Sequence, residues 1–169
     1  MSQPKHLVRT RDLAWSEAAA FKHPLNPNSQ MHAFSLSAMA GMQRVHLHLI
    51  RIPPGKENYV PHAHAIQEEF VFVLEGSATA TLGDQQVQIG PGDYLGFPTD
   101  GLVHHIVNTG PGDFTYLTGG ERTDVEVSDF PSLGKVAVSQ GGDIRLFGKD
   151  GVETITRAEW MARSRLPES

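Results

Sequence analysis

Between Arg44 and Gly120 the chain is cut into short runs rich in Val, Ile, Thr, Phe and Tyr, separated by Gly, Pro and Asp. The runs are VHLHLIRI (45–52), VPHAH (60–64), EFVFVLE (69–75), SATATL (77–82), QVQI (86–89), YLGF (94–97), VHHIVN (103–108) and FTYLTG (114–119). The breakers are Pro53-Pro54-Gly55, Gly76, Gly83-Asp84, Gly90-Pro91-Gly92, Pro98 and Gly110-Pro111-Gly112. Gaps this short leave no room for the helices that cross between parallel strands. β-branched and aromatic residues fit a pleated, half-buried surface, and Gly and Pro end it. The pattern predicts an all-β antiparallel sandwich or barrel.

The flanks read differently. Residues 1–42 look irregular and form a segment expected to pack on the barrel or on a partner. SEAAAFK reads as a short helix ended at His23-Pro24, and Pro24 to Ser29 as loop. Residues 43–120 form the barrel core. Residues 121–169 form an extension in which Val125, Val127 and the run 136–138 suggest further strands. There Lys149-Asp150-Gly151 reads as a hairpin turn, and Thr156-Arg157-Ala158-Glu159 as a capping box opening a short helix at 157–163.

Composition narrows the chemistry. At 169 residues the chain suits one domain. With 14 basic against 19 acidic residues, a net charge of -5 and no dense basic run, neither nucleic acid nor an anionic membrane is expected as a partner. There is no cysteine, which excludes disulfides, zinc fingers, iron–sulfur ligation and thiol catalysis. A metal ion would have to be held by nitrogen and oxygen. The first residues lack the apolar core of a signal peptide and no apolar run approaches a membrane span, so a cytoplasmic location is expected.

His62-Ala63-His64 carries the sharpest signal. Alternate residues of a strand share a face, so the two imidazoles would lie about 7 Å apart along the chain and could converge on one ion. Glu69 opens the next run and His104 lies in a later one. His46-Leu47-His48 repeats the local pattern, but Leu49-Ile50-Arg51-Ile52 follows it with no carboxylate at a useful distance. That pair reads as ordinary strand, with the alternative that the two histidines line a pocket behind the ligands. His105, adjacent to His104, would face the other way, at a surface or interface. On EFVFVLE, Glu69, Val71 and Val73 would share the inner face, leaving Phe70, Phe72 and Leu74 outward and in need of a cover.

Two spaced motifs extend the signal. Gly55, six residues, His62, one residue, His64, four residues, Glu69, six residues and Gly76 resemble the first conserved motif of the cupin superfamily, with a gap after Gly55 one residue longer than usual. Gly92, five residues, Pro98, two residues, Gly101, two residues, His104, three residues and Asn108 resemble its second. The resemblance implies a double-stranded β-helix, or jelly roll, with one metal ion inside. It implies His62, His64, Glu69 and His104 as ligands. Glu68 sits at the family's shorter spacing, but Glu69 preserves the gap to Gly76. Such a donor set suits one divalent transition metal ion (Mn, Fe, Ni, Zn or Co) with coordination positions left open. Cupins of this kind resemble dimers, so a homodimer is the favoured cover for the outward face of 69–75. Asn58 and Tyr59, just before His62, are candidate substrate contacts at the pocket mouth, and Asn108 a loop tie.

The function expected is that of an enzyme acting on a small, polar, oxygen-rich substrate, of isomerase, dioxygenase or decarboxylase type, with the metal as Lewis acid. The alternative is a non-catalytic sensor or carrier of a small molecule. No general acid or base is identifiable from the sequence.

Overall fold

The computed structural model describes residues 4–152, together with Thr156 and Glu159. Thirteen strands are present among them: β1 (Ala19–Phe21), β2 (Met31–Ser35), β3 (Val45–Ile52), β4 (Ala63–His64), β5 (Glu69–Glu75), β6 (Ala78–Leu82), β7 (Gln85–Ile89), β8 (Tyr94–Phe97), β9 (His104–Val107), β10 (Phe114–Glu121), β11 (Val125–Phe130), β12 (Lys135–Gln140) and β13 (Asp143–Gly148). One short helix, α1 (Leu36–Met39), and three single 3-10 turns accompany them. The strands form sheets ordered β1-β2-β3-β10-β5-β8, β13-β12-β11-β4 and β7-β6-β9, with every strand pair antiparallel. The architecture is a jelly-roll barrel.

Alternation along the strands builds the interior. Ile50 and Ile52 of β3, Val71 and Val73 of β5, Ala78 and Ala80 of β6, Leu95 and Phe97 of β8, and Phe114 and Tyr116 of β10 form one buried cluster with Ile106 and Met31. Burying each larger apolar side chain contributes roughly 1.5–3 kcal/mol relative to exposure. Asn108, fully buried, closes one end. Its amide donates to the carbonyls of Ile52 and Gly112, and its Oδ1 accepts from the Gly110 N–H.

The N-terminal segment departs from the sequence expectation. SEAAAFK is not a helix: Trp15–Glu17 makes one 3-10 turn, and Ala19–Phe21 then pairs with Met31–Ala33 as β1. So short a segment cannot offset helix nucleation alone, whereas the exposed edge of β2 offers it a ladder. Strands β1 and β2 thus extend the large sheet from a region expected to be irregular. Val8, Leu13, Trp15, Phe34 and Leu36 cover Leu47, Leu49 and Leu117, on the outside of β3 and β10. They do not reach β5, where Phe72 is 38% and Leu74 37% exposed in the single chain.

The extension makes β11 and β12 as expected, and adds β13, which the sequence reading missed. Their hairpin turns at Gly141-Gly142, both at positive φ, rather than at Lys149-Asp150-Gly151. The latter is a turn closed by the Val152 N–H on the Lys149 carbonyl, beyond the end of β13. The expected helix at 157–163 lies outside the described residues apart from Glu159. The capping-box bonds are made: the Thr156 N–H donates to Glu159 Oε2 at 2.6 Å, and the Glu159 N–H to Thr156 Oγ1 at 3.1 Å. Among the described residues no helix is long and apolar enough to cross a membrane.

Candidate metal centre

His62, His64, Glu69 and His104 arrive from three places in the barrel and meet in one. His62 is bridged to His104, each backbone N–H donating to the other's carbonyl at 3.2 and 2.8 Å. β4 carries His64 and pairs with β11, Ser128 lying opposite His64. Glu69 opens β5. One ligand-capable atom from each of the four residues can be chosen so that all lie within 4.8 Å of one another. The His62 ring lies 4.4 Å from that of His104 and 4.8 Å from that of His64, and Phe97 stacks on His104 at 3.9 Å.

The hydrogen bonds around the rings decide which atoms face inward. His62 Nδ1 lies 2.8 Å from the Val60 carbonyl and His104 Nδ1 3.1 Å from the Leu102 carbonyl. A carbonyl only accepts, so each Nδ1 carries the proton and each Nε2 keeps its lone pair. The Nε2 atoms of His64 and His104 are buried without a hydrogen-bond partner. Buried polar atoms are rarely left so, and a cation would satisfy them. Glu69 is held at one oxygen: Gln67 Nε2 donates to Oε1 at 2.8 Å, and His46 Nε2 lies 3.5 Å from the same atom. Its other oxygen, Oε2, lies 3.3 Å from His64 Nε2. The donor set therefore fits one cation of the nitrogen- and oxygen-binding class, with Glu69 offering a single oxygen.

The protonation states of His62 and His104 suit that role, and in the metal-free protein that of His64 does not. Burial pulls the His62 pKa down to about 3 and that of His104 to about 4, so both are neutral near pH 7. Burial also acts against a charged His64, but Glu69 and then Glu126 outweigh it and its pKa is raised. For Glu69 burial pushes upward, and the adjacent His64 outweighs it, holding the carboxyl well below its ordinary range.

A cavity of about 180 Å³ opens onto the cluster, lined by His62, His64, Glu69, Tyr59, His23, Ser128 and Phe130. A second, of about 220 Å³, adjoins the other side of Tyr59 and is lined by His48, Ser35, Ile50 and three residues of β1 and β2. Burial, and then Glu69, push the Tyr59 hydroxyl up to about 12, so it stays a donor. Asn58 is placed elsewhere. It is buried, its Oδ1 accepts from the Ile106 N–H at 3.0 Å, and its carbonyl accepts from the Ser29 hydroxyl. Glu68 lies outside the cluster. His105 does face away from it, but is buried rather than at a surface, with Nε2 3.2 Å from Glu57.

Four residues around the site had no signal in the sequence. His23 comes from the N-terminal loop, Ser128, Phe130 and Glu126 from β11. His46 reaches Glu69 across Gly120, which has no side chain to intervene. A Cβ at 120 would lie 2.9 Å from His46 Nε2 and against the Glu68 carbonyl.

Comparison with known proteins bears on the family and the fold. A family model for the cupin domain matches residues 48–120. No curated protein sequence matches. Among solved structures, a provisionally assigned sugar phosphate isomerase from Acidithiobacillus ferrooxidans is 32% identical, with a TM-score of 0.86 over 90% of this chain and 98% of that one. A cupin named as a sugar phosphate isomerase from Silicibacter pomeroyi shares the fold at 24% identity, with a TM-score of 0.73 over 86% of this chain and 97% of its own. A predicted oxalate decarboxylase from Thermotoga maritima shares it at 22% identity, with a TM-score of 0.51 over 65% and 97%. The chain belongs to the cupin superfamily.

Proposed function

We propose that this cupin is a metal-dependent enzyme that isomerises a small carbonyl compound rich in hydroxyl groups. The observation that carries the reading is the inward set of buried, unpartnered imidazole nitrogens beside a carboxylate, at the floor of a cavity. His62, His64, Glu69 and His104 would hold one divalent ion of Mn, Fe, Ni, Zn or Co. Bound there, the ion would polarise a substrate oxygen as a Lewis acid. Tyr59 would donate a hydrogen bond to a second oxygen. His23 lines the cavity; its Nδ1 accepts from the Leu25 N–H at 3.3 Å, so its neutral ring carries the proton on Nε2 and would donate a hydrogen bond to a substrate oxygen.

Isomerisation is favoured over decarboxylation or oxygenation by the 32% identical relative named as a sugar phosphate isomerase. The cavity refines that reading. Ordinary small-molecule pockets start at about 300 Å³, so one of about 180 Å³ implies a compact substrate. Among the described residues it has no Lys or Arg on its walls, and such cations ordinarily hold a phosphate dianion. We therefore favour an unphosphorylated aldose or ketose.

The test is a screen of metal-loaded protein against short aldoses and ketoses, with and without phosphate, beside oxalate decarboxylation and oxygen uptake. Aldose–ketose interconversion that is lost on chelation supports the reading. Tight sugar binding without turnover in any assay would replace it with the sensor or carrier alternative. We also read the exposed Phe72 and Leu74 as a homodimer face; light scattering of the same sample at a monomer mass would remove that part.

A further inference from the structure

The strand β11, outside the matched cupin domain, places a buried carboxylate behind one of the candidate ligands. Glu126 is 8% exposed although it is charged. Its Oε1 accepts from the Ala65 N–H at 3.2 Å and its Oε2 from the Gln67 N–H at 2.7 Å. These two amides belong to the link between His64 and Glu69, so one side chain holds the segment that joins two candidate ligands. The same Oε1 lies 3.5 Å from His64 Nδ1, a buried atom that makes no hydrogen bond and to which Glu126 is the facing carboxylate.

We infer that Glu126 is a positioning residue of the metal centre: it fixes the proton of His64 on Nδ1 and the link 65–67 in place, so that Nε2 is presented to the ion. The inference rests on the metal-binding reading above. His62 and His104 have their Nδ1 protons fixed by backbone carbonyls two residues before them, those of Val60 and Leu102. His64 has no such carbonyl, and carboxylates face it on both sides, Glu69 at Nε2 and Glu126 at Nδ1. An imidazole between two carboxylates has no inherent preference for the tautomer that ligates. Glu126 supplies one, because two main-chain donors hold its carboxylate on the Nδ1 side, while Oε2 of Glu69 would be taken up by the ion. A carboxylate behind a ligating histidine also makes the ring a stronger donor, and removing such a group typically weakens metal binding about 10–100-fold. The C-terminal extension is on this account part of the site and not an appendage to the barrel.

The experiment is a Co²⁺ titration of the full chain, read by chelator competition and by the visible absorption of the bound ion. Glu126→Gln keeps the size of the side chain and removes its charge. Its Co²⁺ affinity should fall about 10–100-fold and its absorption bands should shift. Glu57→Gln removes the carboxylate beside His105, on the other side of β9, and should leave Co²⁺ affinity unchanged. Nitrogen-15 spectra of the Zn²⁺-loaded wild type give a readout independent of how the variant folds: His64 should be protonated at Nδ1 and ligated at Nε2. Wild-type affinity and bands in Glu126→Gln, or ligation of His64 through Nδ1, would overturn the role of Glu126 alone. Wild-type protein with no Co²⁺ site would overturn the metal-binding reading beneath it.

Discussion

His46-Leu47-His48 and His62-Ala63-His64 are the same pattern on two strands, and the fold puts them to different uses. The rings of His62 and His64 lie 4.8 Å apart with a third imidazole, His104, at 4.4 and 5.4 Å. The rings of His46 and His48 lie 5.7 Å apart, and among the described residues they belong to no group of three ligand-capable side chains. The earlier pair is nevertheless not remote. His46 stands 3.5 Å from Glu69, although β10 separates their strands, because the residue between them is Gly120. A His-x-His pair thus has its role set by what the neighbouring strands present to its face, which local spacing does not encode.

The largest expected difference between the pairs is in acid. His62 and His104 have folded-state pKa values of about 3 and about 4, against an ordinary value of 6.5. The unfolded chain therefore takes up protons below pH 6.5 that the folded chain refuses until it approaches those lower values. Their contribution to stability is full above pH 6.5 and is lost as pH falls through this window. With about 1.4 kcal/mol per pKa unit, the pair is worth several kcal/mol in the metal-free protein. His64, whose pKa is raised, works in the opposite sense and offsets part of it. Urea unfolding between pH 7 and pH 4 should show a steep decline for the wild type, a shallower one for His62→Ala, and for His48→Ala, which removes a histidine whose pKa burial also lowers, a decline between the two. A wild-type stability indifferent to pH across that range would contradict the burial argument.

A smaller effect tests the gap that lets His46 reach Glu69. Gly120→Ala adds a Cβ 2.9 Å from His46 Nε2 and against backbone, and overpacking of this kind costs roughly 1–3 kcal/mol. Gly148→Ala on β13, where a Cβ meets nothing within 4 Å, should leave the melting temperature nearly unchanged. Equal melting temperatures for the two variants would mean that position 120 does not need to be open.

The barrel was legible because its breakers are local. EFVFVLE and VHLHLIRI end at the residues expected, since Gly76 and Pro53 stop them whatever the partners are. The cluster was legible because its residues sit at family spacings within the two motifs. What escaped lies at the end of a long-range pairing. β1 is three residues of AAF that become a strand only against Met31–Ala33. Glu126 meets the His64 link across 61 residues of sequence, and His23 enters the cavity from a loop that reads as nothing more than a helix stop. Each takes its role from topology, which no window of sequence contains.

The central claim is that His62, His64, Glu69 and His104 hold one ion and that the earlier histidine pair does not. Its most direct test is elemental analysis of wild type, His104→Ala and His48→Ala, purified without a nickel column and incubated with limiting divalent metal. The account predicts about one equivalent of transition metal per chain in the wild type and in His48→Ala, and little in a folded His104→Ala. A full equivalent retained in His104→Ala would contradict it.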